Sequence, residues 1–334
     1  MSVLPPEGAS SPHAVRSPTP QPLHRQGGRL RVPSTHLKRQ ILGPAAMVLL
    51  FMALMFLVGA GQYLRSLERQ RTVGAAEQAQ RLWRRLAQEE DRKLSWFVSE
   101  ALSREDLAQA MQKGDRDALL KATQAQLEAM RQHFGVTHWY FITPDQHVLL
   151  RVHAPGRNGD LIARHSLQEA VRTGEPASGL ELGAMSTFTL RHVAPWRVNG
   201  HLIGYIEMGA EVEWFAREIS RVVNVQVMTA VRKSATSAEQ FQQGKAALGL
   251  TGRWGDDPDL ALLNQTMAIL PDGLMPAWRE WQAQGAAGHV VKELAQEDLR
   301  WSVSFVPMAD SRGQQLASMA LLRASGSMPR WEST

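Results

Sequence analysis

The sequence predicts an α+β protein: one N-terminal membrane-spanning helix, a long stalk helix, then two antiparallel-sheet modules in tandem. Three observations predict it. Residues 41–61, ILGPAAMVLLFMALMFLVGAG, hold no charged side chain over a length that crosses a bilayer. Apolar residues between Ala75 and Ala101 recur at helical spacing. Beyond residue 136, short alternating runs are separated by turn residues, and the plan occurs twice.

The formal charge of +5 is unevenly placed. Residues 1–40 hold six basic side chains and one acid (Glu7), which leaves 31 basic against 31 acidic in the remainder. The basic excess therefore belongs to a tail, and no nucleic-acid partner is expected. That tail also holds seven of the 17 prolines, so it reads as disordered, its charge suited to anionic lipid headgroups. The absence of cysteine excludes disulfides, thiolate metal sites and a cysteine nucleophile, and leaves the redox compartment open. No HExxH, phosphate-loop or GxSxG pattern is present, so no enzyme and no cofactor are expected. The histidines show no tight ligand spacing beyond His147 and His153, and no metal is expected.

Taken in order, 1–40 is the tail and 41–64 the membrane helix. A buried core helix would be shorter, and a cleaved signal peptide would have a shorter apolar run. Residues 65–135 hold two helices. The first, over 64–112, carries Ala75, Ala79, Leu82, Leu86, Leu94, Phe97 and Ala101 on a stripe that could pack on a sheet or pair with a second copy. The second, 115–134, ends at Gly135. The first sheet module covers 136–221. Its strands are Trp139–Ile142, His147–His153 after a Thr143-Pro144-Asp145-Gln146 turn, Gly179–Leu182, Thr187–Ala194 and Leu202–Met208. Asn199-Gly200 is the hairpin turn, and a short helix over 166–173 stops at Gly174. In the second strand, Val148, Leu150 and Val152 are expected on one face, with His147, Leu149, Arg151 and His153 opposite.

The second module covers 222–325. A strand at Val223–Val231 is followed by helices at Pro258–Ile269 and Leu274–Gln282, the first opened by Asp256-Asp257-Pro258-Asp259. Strands at His289–Leu294, Leu299–Val306 and Leu316–Leu322 follow, with a turn at 310–313, and Trp254, Trp278, Trp281 and Trp301 read as an aromatic core. Residues 326–334 read as a frayed end.

The runs RVHAPGRNGDLIARHSLQEAVRTGEPASGLELG (151–183), FTLRHVAPW (188–196) and GHLIGYIEMG (200–209) resemble the membrane-distal module of the double Cache family. This is the PAS-like "double sensory domain" subtype of bacterial sensor kinases, diguanylate cyclases and chemoreceptors. The likeness is specific over 138–210 and looser beyond 225. It implies a long helix against two PAS-like sheets and sensing of a ligand outside the cytoplasm, in a two-component or related pathway. It supplies no ligand, and the amino-acid-binding pattern of the family is not evident. Receptors of this kind normally continue through a second span to an output domain, and nothing after residue 310 is long and apolar enough to be that span.

Six residues are candidates for ligand binding. Arg151 and His153 would take an anion, or Arg151 would pair with Asp160 or Glu181. Asp160 would cap amides before the short helix, and Arg164 stands in the same loop. Arg191 would face the pocket or pair with Glu207 on the next strand, and Tyr140 would lend a hydroxyl or simply pack. The expectation is a single-pass inner-membrane sensor with its bulk in the periplasm, binding a small anionic metabolite. It would signal through the long helix to a second copy or a separate transmitter. The alternatives are an adaptor with a degenerate sensor fold that binds no ligand, and a truncated receptor.

Overall fold

The computed structural model describes residues 34–183, 186–248, 252–286, 291–296 and 299–325. The tail up to residue 33 and the segment 326–334 lie outside the described residues. The chain divides into two units, 1–60 and 61–334. Helix α1 (Ser34–Ser103) is, among the described residues, the one helix long and apolar enough to cross a membrane by length and composition. It starts at Ser34, within the stretch expected to be disordered, because Leu37-Lys38-Arg39-Gln40 are good helix formers leading into the apolar run.

The stalk helix was expected to reach 112 but breaks at Arg104, whose backbone is extended (φ −81°, ψ 115°). The Arg104 guanidinium fixes the corner by donating to Asp106 and to Gln126 Oε1, at 2.5 and 3.0 Å. The break lets α2 (Glu105–Lys113) turn Leu107, Ala108 and Met111 into the core. Helix α3 (Arg116–Phe134) is capped as its sequence implies. Asp115 accepts the Ala118 amide at 3.0 Å, and Gly135 (φ 72°) closes the end.

The first sheet contains β1 (Val136–Ile142), β2 (Val148–Arg151), β3 (Ala177–Leu182), β4 (Phe188–Val198) and β5 (His201–Glu211), in the order β2-β1-β5-β4-β3. Helix α4 (His165–Thr173) lies between β2 and β3 in sequence, and α5 (Trp214–Val223) leaves the module. Asn199 and Gly200 both have positive φ, 49° and 82°, as the tight β4–β5 hairpin demands. Strand β2 departs from simple alternation. The β1–β2 register slips between Phe141 and Ile142, so Ile142 faces Val148 while Phe141 faces Leu150. This bulge places Val148 on the same face as Arg151, not with Leu150, and the strand gives way to a turn at residues 152–153.

The second sheet contains β6 (Gln226–Arg232), β7 (Leu260–Gln265), β8 (Val291–Gln296), β9 (Leu299–Ala309) and β10 (Gln315–Ser325), with helices α6 (Ala238–Leu248) and α7 (Leu274–Ala283). Its order, β7-β6-β10-β9-β8, repeats the first sheet position for position. The stretch expected as a helix over 258–269 is the strand β7. Leu260, Ala261, Leu262 and Leu263 are all buried, and a short apolar run carries no period that separates strand from helix. Asp257 does not open a helix; its Oδ1 accepts the Asp259 and Leu260 amides at 2.9 and 3.0 Å in a loop. Helix α6 has no counterpart among the elements expected from the sequence.

One large apolar cluster joins α1 to one face of both sheets. Ala76, Ala79, Leu94, Val98 and Ala101 of the helix stripe meet Phe141, Leu150, Ile206 and Met208 of the first sheet and Val227, Val231, Val306 and Met319 of the second. The opposite face of the second sheet is covered by Trp278 and Trp281 of α7, packed on Trp301 and Phe305. Trp254, expected among these, packs instead on the large cluster beside Phe241. The turn after β9 reaches the outer edge of the first sheet, where the Ser311 amide donates to the Leu180 carbonyl at 2.9 Å. Gly179 permits this approach, since a Cβ there would lie 2.4 Å from Ser311 Cβ.

Candidate functional site, an arginine-lined cavity on the first sheet

The face of the first sheet turned away from α1 carries charge where its counterpart carries indoles. The register sets this out in rows. Arg151, Tyr140, Glu207 and Val193 stand side by side, and the next row holds His138, Gly209, Arg191 and Gly179. A third row holds Glu211, Thr189 and Glu181. Period-two alternation along β1, β4 and β5 puts these residues on one face.

Three guanidiniums surround one aromatic ring. Arg164, Arg151 and Arg191 lie 4.8, 5.3 and 5.8 Å from the Tyr140 ring centroid. Each also has a carboxylate. Arg151 forms a two-point pair with Asp160 at 2.7 and 2.6 Å, and donates to the Arg157 carbonyl at 2.7 Å. Glu207, fully buried, accepts from Arg164 at 2.7 Å and from Arg191 at 2.6 Å. Glu181 Oε1 accepts the Ser166 amide at the start of α4 at 2.8 Å. Its Oε2 lies 3.8 Å from both Arg164 Nε and Arg191 Nε, beyond hydrogen-bond reach, and all three atoms are buried without a hydrogen-bond partner.

Beside this network is a cavity of about 440 Å³. Arg131, Arg151, Arg157, Arg164 and Arg191 line it together with Tyr140, His138 and His153, and among the described residues its one lining carboxylate is Glu211. Burial, then the Arg191 charge, pushes His138 well below the ordinary histidine range. Burial, Arg191 and Arg151 bring His153 down to about 4. Both imidazoles are therefore neutral at physiological pH, and they stand edge to face with centroids 4.5 Å apart. The hydrogen bonds from Arg151 hold Asp160 at about 2. Burial works against charge on Glu207, but Arg164 and Arg191 outweigh it and keep the carboxyl below its usual range. Burial raises Glu211, which accepts a hydrogen bond from the Thr137 hydroxyl.

Five of the six residues singled out from the sequence, Tyr140, Arg151, His153, Arg164 and Arg191, line this one cavity. Asp160 does not: it stands behind Arg151, and no cap hydrogen bond from it or from any other side chain of the preceding loop enters α4. The pairs weighed from sequence, Arg151 with Asp160 and Arg191 with Glu207, are both present. His138 and Glu211 were not singled out, although each sits two or four residues from Tyr140 or Glu207 on the same strand face. Arg157 belongs to the polar, donor-rich loop 154–164 after β2, while Arg131 comes from α3, where no local pattern marks it. Among the described residues no group of three His, Asp or Glu is placed to hold a metal ion.

Two sheets of identical strand order, packed on one helix and opening a charged cavity on the first, make a tandem sensory module. The chain belongs to the family described as the double sensory domain of two-component sensor kinases, which matches residues 74–292. Similar solved structures include the sensor domain of the Vibrio cholerae histidine kinase DctB, 12% identical over 80% of this chain and 100% of that one, with a TM-score of 0.44. The ligand-binding domain of the Campylobacter jejuni chemoreceptor Tlp3, in complex with 4-methylisoleucine, is 10% identical over 79% and 94%, with a TM-score of 0.39. The sensor domain of Escherichia coli DcuS is 18% identical over 40% of this chain and 97% of its own, with a TM-score of 0.34. No curated protein sequence matches the chain.

Proposed function

We propose that this protein is a membrane-anchored extracytoplasmic sensor whose first sheet module binds a small organic anion and passes the change to helix α1. One observation carries the reading: among the described residues, five arginines and two neutral histidines line a cavity of about 440 Å³ against a single lining carboxylate. A volume of this order suits a small metabolite, and guanidinium forks suit carboxylates. The apolar stretch 41–61 supports the anchor. Strand β4 supports the relay. Arg191 faces the cavity, while its neighbour His192 faces the other way and meets Asp91 of α1 at 2.9 Å. Four residues on, the Trp196 indole donates to the Leu102 carbonyl of α1 at 3.1 Å. An anion that draws on Arg191 would favour one placement of β4, and so of α1, over another.

The test is thermal unfolding of the full chain in detergent micelles with pools of small carboxylates. The expected result is a concentration-dependent rise in Tm that Arg151→Ala reduces or abolishes. Failure of every pool, or equal stabilisation of the variant, overturns the reading. A second reading, an adaptor that keeps the fold without a ligand, draws support from the internal pairing of Arg151, Arg164 and Arg191 with Asp160 and Glu207. The same experiment separates the two.

A further inference from the structure

The cavity has two chemically different ends. Arg151, Tyr140 and Glu207 share one row of the sheet, and Glu211 lies four residues along β5 from Glu207. Guanidiniums gather around Tyr140 at the first end. At the other, Glu211 and Thr137 stand together with His138. An acid here is unexpected in a wall built for anions. Its carboxyl is nine-tenths buried, and one oxygen takes the Thr137 hydroxyl. The other, Oε1, has the His138 ring nitrogen at 3.5 Å, too far for an ordinary hydrogen bond. That nitrogen is itself 2.9 Å from the Thr137 hydroxyl. Oε1 therefore keeps acceptor capacity on the cavity wall.

We infer that the ligand of this cavity is a hydroxylated carboxylate, its carboxylate held by the arginines around Tyr140 and its hydroxyl donating to Glu211 beside Thr137. A plain carboxylic acid would leave the buried Glu211 acceptor facing hydrocarbon, which is unfavourable. An amino acid would bring an ammonium whose lining partner is Glu211, a carboxyl that burial makes reluctant to ionise, in a cavity also lined by five guanidiniums. A hydroxyl satisfies the acceptor without adding like charge. The inference rests on the anion-sensor reading above and adds the second group that the anion must carry.

The experiment compares matched probes on the full chain in detergent micelles, with Tm read as a function of concentration. The pairs are lactate against propionate, 3-hydroxybutyrate against butyrate, and gluconate against hexanoate, with alanine as the amino counterpart of lactate. At least one hydroxy acid is expected to bind roughly ten-fold more tightly than its deoxy partner, the weight of one buried hydrogen bond. Glu211→Gln and, independently, Thr137→Val are expected to shrink that ratio, the hydroxy acid losing ground to its deoxy partner in each variant. Equal response to both members of every pair overturns the inference and leaves the anion reading intact. So does preference for alanine, or a ratio unchanged in both variants. No response to any carboxylate overturns the anion reading itself, and this inference with it.

Discussion

The two sheets share one strand order and differ in what fills the face away from α1. In the second sheet, Trp278 and Trp281 of α7 lie on Phe305 with ring centroids 5.6 and 5.4 Å away, and the Trp278 indole donates to Ser318 at 2.7 Å. In the first, the same face holds Arg151, Arg191, Glu207 and Tyr140 beside a cavity of about 440 Å³. Connectivity is thus common to both, and side-chain chemistry decides which face is closed. Indoles fill space and exclude water. Guanidiniums and carboxylates need partners in fixed directions and pack less completely.

This contrast can be broken most forcefully at Trp278. Trp278→Ala removes a fully buried indole and is expected to cost about 3–5 kcal/mol, read by chemical denaturation. A loss under about 1 kcal/mol would show the second face to be as loosely filled as the first.

The next effect in size belongs to the cavity. His153 folds with its pKa down at about 4, below its unfolded value, so the folded state binds fewer protons between those limits. Its contribution to stability is intact above pH ~6.5 and is lost as pH falls towards 4. Unfolding free energy should fall by about 2 kcal/mol more in wild type than in His153→Gln over that window, after allowance for partial exposure. Parallel pH profiles for the two proteins would remove the buried-imidazole account.

The smallest change is expected from Tyr140→Phe. The ring under three guanidiniums is kept and only the phenol is lost, so stability should move by less than about 1 kcal/mol. Tyr140→Leu, which removes the ring's π-face, should cost more in the same assay. Equal costs for the two variants would mean that the phenol, not the ring, anchors the arginines.

What the chain discloses before folding follows from how local each signal is. Gly135, Gly174 and Asn199-Gly200 mark their turns because positive φ is a property of the residue itself. The strands around Tyr140 and Arg191 are legible because alternation acts over a few residues. Strand β7 is not, because four consecutive buried apolar residues suit either helix or strand until β6 pairs with them. The break at Arg104 depends on Gln126, 22 positions away, and the bulge in β2 on its pairing with β1. Within the site, Arg151 and Arg191 stand out as charges on alternating strands. Whether each meets a ligand or an acid depends on where Asp160 and Glu207 come to rest, which only the assembled sheet decides. His138 and Glu211 obey the same alternation and could have been included. Arg131 arrives from a helix whose sequence gives no reason to single it out.

The contact between Ser311 and Leu180 bears on where this protein can be divided. Strand β3 is an outer strand, and an outer strand with free carbonyls invites pairing with other molecules. A fragment cut after Asn224 would strip the Ser311 amide from that border and leave Gly179, with no side chain to shield it, on open display. Such a piece would keep the cavity but gain a cohesive margin, so the first sheet expressed by itself should self-associate more strongly than the whole chain.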